Sequence, residues 1–169
     1  MFEAMKEFSN IVVSGPQRSG TRIAAKIIAH DLDKAYVDEA DLNFHDFRLL
    51  DWHLNKGNVV IQCPGLCHML HYITRKDTLV VVVYRNIEDI MLSEAKKWDK
   101  QSMRLELVKY GCCSGVISTI KYNFWETYQR PILENRARNI NYNQLENHSM
   151  FINNREKFLW NQTHHGSSN

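Results

Sequence analysis

The chain has 169 residues, 44% of them hydrophobic and 24% charged, with a formal net charge of +2. That length suits one domain with a real core and is short for two, and the composition is that of a globular chain. The near-neutral balance gives no argument for nucleic acid or an anionic membrane as partner, so any anion site must come from local placement of Arg and Lys. The longest aliphatic run, Leu79 to Val83, falls far short of the roughly 20 apolar residues that a membrane helix needs. Met1 to Asn10 mixes Glu, Lys and Phe without an export pattern, so a cytoplasmic location is expected. Cys63, Cys67, Cys112 and Cys113 have neither zinc-ribbon nor redox spacing. They read as reduced thiols, each a small buried apolar residue.

Asn10–Ser14 reads as a buried strand, followed by the turn-rich Gly15–Gly20. From Thr21 to about Leu32, Ile23, Ile27, Ile28 and Leu32 mark a helix with one broad apolar face. Ala35–Val37 is a short strand leading into the acidic run Asp38-Glu39-Ala40-Asp41. Phe44, Phe47, Leu50 and Leu54 predict a second helix, stopped at Lys56-Gly57-Asn58. Val59–Gln62 is a strand, with a short helix expected from about Leu66 to Ile73. Thr78–Tyr84 is the strongest strand, continuous and β-branched like a strand covered on both faces. A helix is expected from Ile87 to about Tyr110, broken by Gly111–Gly115. Another follows from about Val116 to Asn135, distorted late by Pro131. Arg138–Tyr142 reads as the last strand.

Strands alternating with helices predict an α/β fold: three α/β/α layers around a mainly parallel sheet of about five strands. No repeat or linker appears, so residues 1–162 are expected to form a single domain with 163–169 as a tail. In such sheets ligands sit at the carboxyl ends of the strands. Three suggestive segments lie there: the loop after Val13, the loop after Gln62, and Arg85.

The loop Ser14-Gly15-Pro16-Gln17-Arg18-Ser19-Gly20-Thr21-Arg22 has the layout of an anion cradle. Glycines let the backbone wrap closely and turn N–H groups inward, and the helix that follows brings its positive end to the same place. Thr21 adds a hydroxyl, and Arg18 a fork of donors suited to phosphate. The spacing of Gly15 and Gly20 matches the G-x-x-x-x-G-K-[ST] pattern, but Thr21 stands at the Lys position and Arg22 at the hydroxyl position. The lysine that reaches the terminal phosphates and the hydroxyl that holds magnesium are both absent. ATP or GTP hydrolysis by that machinery is disfavoured.

Gly15-Pro16-Gln17-Arg18-Ser19-Gly20-Thr21 resembles the 5′-phosphosulfate loop of the sulfotransferase family, which often reads G-x-x-[RK]-S-G-T. A second anchor is Arg85-Asn86-Ile87-Glu88-Asp89-Ile90-Met91-Leu92-Ser93, similar to that family's Arg…Ser site for a 3′-phosphate after a central strand. Ile140–Leu145 looks like the family's late strand and Y-x-x-L turn. The strand ending at Gln62 departs from it, since the family carries Lys there. The resemblance implies a P-loop NTPase-like fold and sulfuryl transfer from 3′-phosphoadenosine 5′-phosphosulfate to a small-molecule or carbohydrate hydroxyl or amine. The donor would be held by Arg18, Ser19, Gly20, Thr21, Arg22, Arg85 and Ser93. Arg18 would also stabilise charge, Glu39 would be the base after the second strand, and His68 a lower-ranked base after the third. No metal, nucleic acid or membrane is expected. Two other readings stay open: a P-loop nucleotide or nucleoside kinase that has lost its lysine, and a non-catalytic nucleotide-binding or assembly module, for which Gln62 and the short chain are the arguments.

Overall fold

The computed structural model describes residues 2–97 and 114–151. The β-branched runs build one sheet from β1 (Asn10–Ser14), β2 (Ala35–Val37), β3 (Val59–Gln62), β4 (Thr78–Tyr84) and β5 (Ala137–Asn141). Their order is β2-β3-β1-β4-β5, and every pairing is parallel. Parallel neighbours need crossovers, which the helices supply. These are α1 (Thr21–Asp31), α2 (Phe47–Lys56), α3 (Ile87–Lys97) and α4 (Ser114–Phe124).

The two faces of the sheet follow from the period of two along each strand. Ile11, Val13, Val60, Leu79, Val81 and Val83 pack with Ile27 and Ile28 of α1, joined by Phe2, Leu145 and Phe151. Val12, Val59, Ile61, Val80 and Val82 face the other way, onto Leu50 and Leu54 of α2, Ile90 of α3, and Tyr122 and Trp125. The result is the three-layer α/β/α arrangement expected from the alternation of elements. Leu79 to Val83 are each 0% exposed, as suits an interior strand flanked by β1 and β5 and covered on both faces. Burying one such aliphatic side chain stabilises by about 1.5–3 kcal/mol, so this strand anchors both layers.

Local chemistry moves several boundaries from their expected places. The helix expected from Phe44 starts at Phe47, because Asn43 and Phe44 have left-handed backbone and Asp46 caps the helix through the Arg48 N–H at 2.9 Å. The helix expected over Leu66–Ile73 is instead two 3-10 turns, Pro64–Leu66 and Leu70–Tyr72. Close packing governs the first of them: a Cβ at Gly65 would collide with the Phe44 carbonyl. The acidic run after β2 is a 3-10 turn, Glu39–Leu42, whose N-terminus Asp38 and Asp41 close as a capping box. After α4 the chain passes through a π-helical stretch, Trp125–Gln129, before the turn Arg130–Leu133 that holds Pro131. The far half of the helix expected to Tyr110, the Gly111–Cys113 part of its break, Cys112, Cys113 and the 163–169 tail lie outside the described residues. Cys63 and Cys67 are buried free thiols. No helix among the described residues is long and apolar enough to cross a membrane.

Candidate anion-binding site

The loop between β1 and α1 is shaped by backbone that few side chains tolerate. Gly15 has φ +148°, and a Cβ there would meet Ser19 Oγ at 2.8 Å and the Val83 carbonyl at 2.9 Å. Gly20 has φ +97° and lies under the Tyr142 ring, which a Cβ would strike. Arg18 is left-handed at φ +68°. Non-glycine residues in that region carry local strain, which recurs at binding loops. One turn bond closes the loop, from Ser19 N–H to the Pro16 carbonyl at 3.2 Å. Gly20 caps α1 without a side-chain hydrogen bond, so the first-turn N–H groups of α1 meet the loop uncapped.

Around this loop the two anion motifs converge. Arg18 donates from Nε to Ser93 Oγ on α3 at 3.1 Å. Arg85, just past β4, donates from Nη1 to the Arg18 carbonyl at 3.1 Å. The Arg85 guanidinium also lies over the Tyr142 ring, 4.3 Å from its centroid. Its Nε is buried with no hydrogen-bond partner, as is Ser19 Oγ. Burial and the neighbouring Arg85 hold the Arg18 guanidinium below its ordinary pKa, with Glu94 pulling part of the way back. Two cations pressed together beside buried donors without partners form an arrangement that can take up an anion. Asn86 caps the start of α3, accepting from the Glu88 N–H at 2.8 Å.

The other side of the loop is a polar relay. Arg22 pairs with Asp38 in a fork, Nε to Oδ2 at 3.0 Å and Nη2 to Oδ1 at 3.1 Å. Its charge is therefore already matched, unlike that of Arg18. Tyr36 donates to the same carboxylate at 2.7 Å. Gln62 is 2% exposed and ties the end of β3 to the turn after β2 and to the start of α1. Its Oε1 accepts from the Glu39 N–H at 3.2 Å, and its Nε2 donates to Thr21 Oγ1 at 3.1 Å. Glu39 Oε1 lies 3.9 Å from Arg22 Nη2, and Glu39 Oε2 is buried without a hydrogen-bond partner. Thus the residues named from the sequence at positions 18–22, 39, 85 and 93 all surround one end of the sheet. His68 is exposed on the stretch between the two 3-10 turns and shares no hydrogen bond with the loop among the described residues.

Beside Arg85 an open groove of about 520 Å³ runs along the carboxyl ends of β4 and β5, lined by Tyr84, Arg85, Asn86, Asn141, Tyr142 and Gln144 among others. Two further residues escaped sequence reading. Tyr122 accepts from the Arg85 N–H and donates to the Val83 carbonyl, both at 3.1 Å. Tyr36 sits in a strand whose only visible signal was its β-propensity. No group of three or more His, Cys, Asp or Glu among the described residues is placed to hold a metal ion.

The parallel sheet in this strand order, with a glycine-bounded loop from its central β1 into α1, defines a P-loop NTPase-like fold. Solved structures agree. A shikimate kinase from Acinetobacter baumannii, in complex with shikimate, matches with a TM-score of 0.55 at 14% identity over 98% of this chain and 99% of its own. A shikimate kinase from Bacteroides thetaiotaomicron matches at 0.52 and 14% identity, over 90% of this chain and 98% of its own. A Bacillus subtilis protein in complex with phosphorylated GDP matches at 0.50 and 12% identity, over 94% and 99%. At such identity the likeness is one of fold. No protein-family model matches the chain, and no curated protein matches it.

Proposed function

We propose that this chain is a nucleotide-binding group-transfer protein on a P-loop kinase-like scaffold. Its arginine-based loop holds the phosphates of a donor nucleotide. The observation that carries this reading is the pair Arg18 and Arg85, joined through the Arg18 carbonyl and lacking a carboxylate ion pair among the described residues. The buried Ser19 hydroxyl and the uncapped start of α1 add donors to the same point. The groove over β4 and β5 has the size for a nucleoside, and the acceptor would approach from Glu39 and Gln62. Transfer of a phosphoryl or sulfuryl group depends mainly on positioning and on neutralising developing charge, which two arginines supply without the missing lysine.

Phosphoryl transfer is the reading favoured by the kinase folds that this chain resembles. Sulfuryl transfer from 3′-phosphoadenosine 5′-phosphosulfate is a second reading, favoured by one contact: Ser93 and Arg85, the implied 3′-phosphate pair, both touch Arg18 of the loop. A thermal melt with ATP–Mg²⁺, GTP–Mg²⁺ and 3′,5′-bisphosphoadenosine separates them. A ligand at a hundred times its Kd stabilises by about 2.7 kcal/mol. A rise with a triphosphate alone supports phosphoryl transfer, and a rise with the bisphosphate alone supports sulfuryl transfer. No rise with any of the three overturns nucleotide binding.

A further inference from the structure

The ladder between β1 and β4 ends at Ser14 opposite Val82, because β1 turns away into the loop. β4 runs on to Tyr84, and Gly15 packs against the Val83 carbonyl. Main-chain groups stranded in this way inside a protein need partners. A single phenol supplies them: Tyr122, 8% exposed on α4, accepts from the Arg85 N–H and donates to the Val83 carbonyl. Burial pushes this phenol up to about 12, so it stays neutral and keeps the proton it donates.

The phenol is itself held in place. The Tyr122 ring stacks on Tyr84, with centroids 4.3 Å apart and planes 15° from parallel. Tyr84 donates to Glu126 Oε1 at 2.6 Å, and Asn139 and Arg130 each donate to the same carboxylate at 2.7 Å. Glu126 lies in the π-helical stretch that follows α4. A π-turn widens the helix and shifts the phase of the side chains after it. Here Tyr122 reaches the end of β4 while Glu126, four positions on, reaches Tyr84.

We propose that Tyr122 is the positioning residue of the anion site. It fixes the main chain at Arg85, and so places the guanidinium against the loop carbonyl of Arg18. The inference rests on the nucleotide-binding reading and deepens it. Tyr122 acts through Arg85, its hydroxyl being engaged by the Arg85 N–H and the Val83 carbonyl.

A double-mutant cycle tests this. Kd values for ATP–Mg²⁺, GTP–Mg²⁺ and 3′,5′-bisphosphoadenosine are measured by calorimetry on the native chain, Tyr122→Phe, Arg85→Gln and the double variant. Phe keeps the stack on Tyr84 and removes only the hydroxyl. Loss of one hydrogen bond's worth of positioning weakens binding about tenfold. In the Arg85→Gln background the same change has no further effect, since coupled residues are not additive. Thr119→Val, which removes another α4 hydroxyl bonded within the helix, leaves Kd unchanged. A Tyr122→Phe chain that binds as tightly as the native one, or effects that simply add with Arg85→Gln, overturns the role of Tyr122 and leaves the site reading intact. A native chain that binds none of the three ligands overturns both.

Discussion

Arg18 and Ser93 stand 75 positions apart in the chain, and Arg18 Nε donates to Ser93 Oγ at 3.1 Å. The contact ties the loop after β1 to the helix after β4, so the two segments read from the sequence as anion motifs meet at one place. Arg18 is also crowded by Arg85, which depresses its pKa alongside burial. Arg18→Ala therefore removes one hydrogen bond and one like-charge repulsion together. The ligand-free melting temperature should stay within about 2 °C of native, since offsetting effects below 1 kcal/mol move a chain of this size by only a few degrees. The nucleotide-induced rise should disappear. A retained rise would remove Arg18 from the site.

Gly20 meets two constraints at once. Its φ of +97° strains any L side chain, and the Tyr142 ring occupies the place of a Cβ. Gly20→Ala should destabilise by about 2 kcal/mol or more. Adding Tyr142→Ala should recover the steric part and leave the backbone part. Urea unfolding of both variants measures the split. A single variant as stable as native would show that the loop relaxes around the methyl group.

Most of the scaffold was legible because its signals are local. Val80 to Val83 and Ile11 to Val13 are aliphatic on both faces, which only a central parallel strand requires. The glycine spacing from Gly15 to Gly20 marked the loop, and the last strand lay one residue from its expected place. What stayed hidden was tertiary. Leu66, Met69, Leu70 and Ile73 have helical spacing, yet Pro64 and the contact of Gly65 with Phe44 leave room only for 3-10 turns. Tyr122 looks like any core aromatic on a helix, and nothing in its neighbours tells that its hydroxyl ends β4. Arg22 looked like a loop donor, but its partner Asp38 becomes visible only when β2 is set beside α1.

Acid should loosen the structure through two carboxylates. Burial alone would raise Asp38, but hydrogen bonds from Tyr36 and the Ala40 N–H, with the charge of Arg22, hold it below its usual value. Glu126 is likewise lowered against its burial by Tyr84, Arg130 and Asn139. A depressed folded pKa means that the unfolded chain binds more protons near pH 4, so stability rises with pH there. The contribution is complete above the unfolded carboxylate values of about 4 and is lost as pH falls through the lower folded ones. Urea midpoints between pH 2.5 and 6 should show this fall, and Asp38→Asn should flatten part of it. An unchanged profile in Asp38→Asn would show that the Arg22 pair contributes nothing net.

Gln62 allows the sharpest test of how the loop meets its ligand. The Glu39 N–H can only donate, so the Gln62 side chain must turn its oxygen there and its NH₂ toward Thr21. Thr21 Oγ1 then accepts from Gln62, and its own proton is free to donate into the cradle. Gln62→Glu keeps the acceptor for Glu39 but turns Thr21 into a donor toward the new carboxylate. The Thr21 proton leaves the cradle, and a negative charge comes to stand beside it. Nucleotide affinity should drop at least tenfold, about the worth of one charge-affected hydrogen bond. Gln62→Met, which fills the volume without charge, should leave Thr21 free to donate and cost stability instead, about 1–3 kcal/mol for the unpaired Glu39 N–H. The two variants thus separate along different axes: affinity for one, unfolding free energy for the other. Equal losses of affinity in both would show that Gln62 supports the loop only by packing.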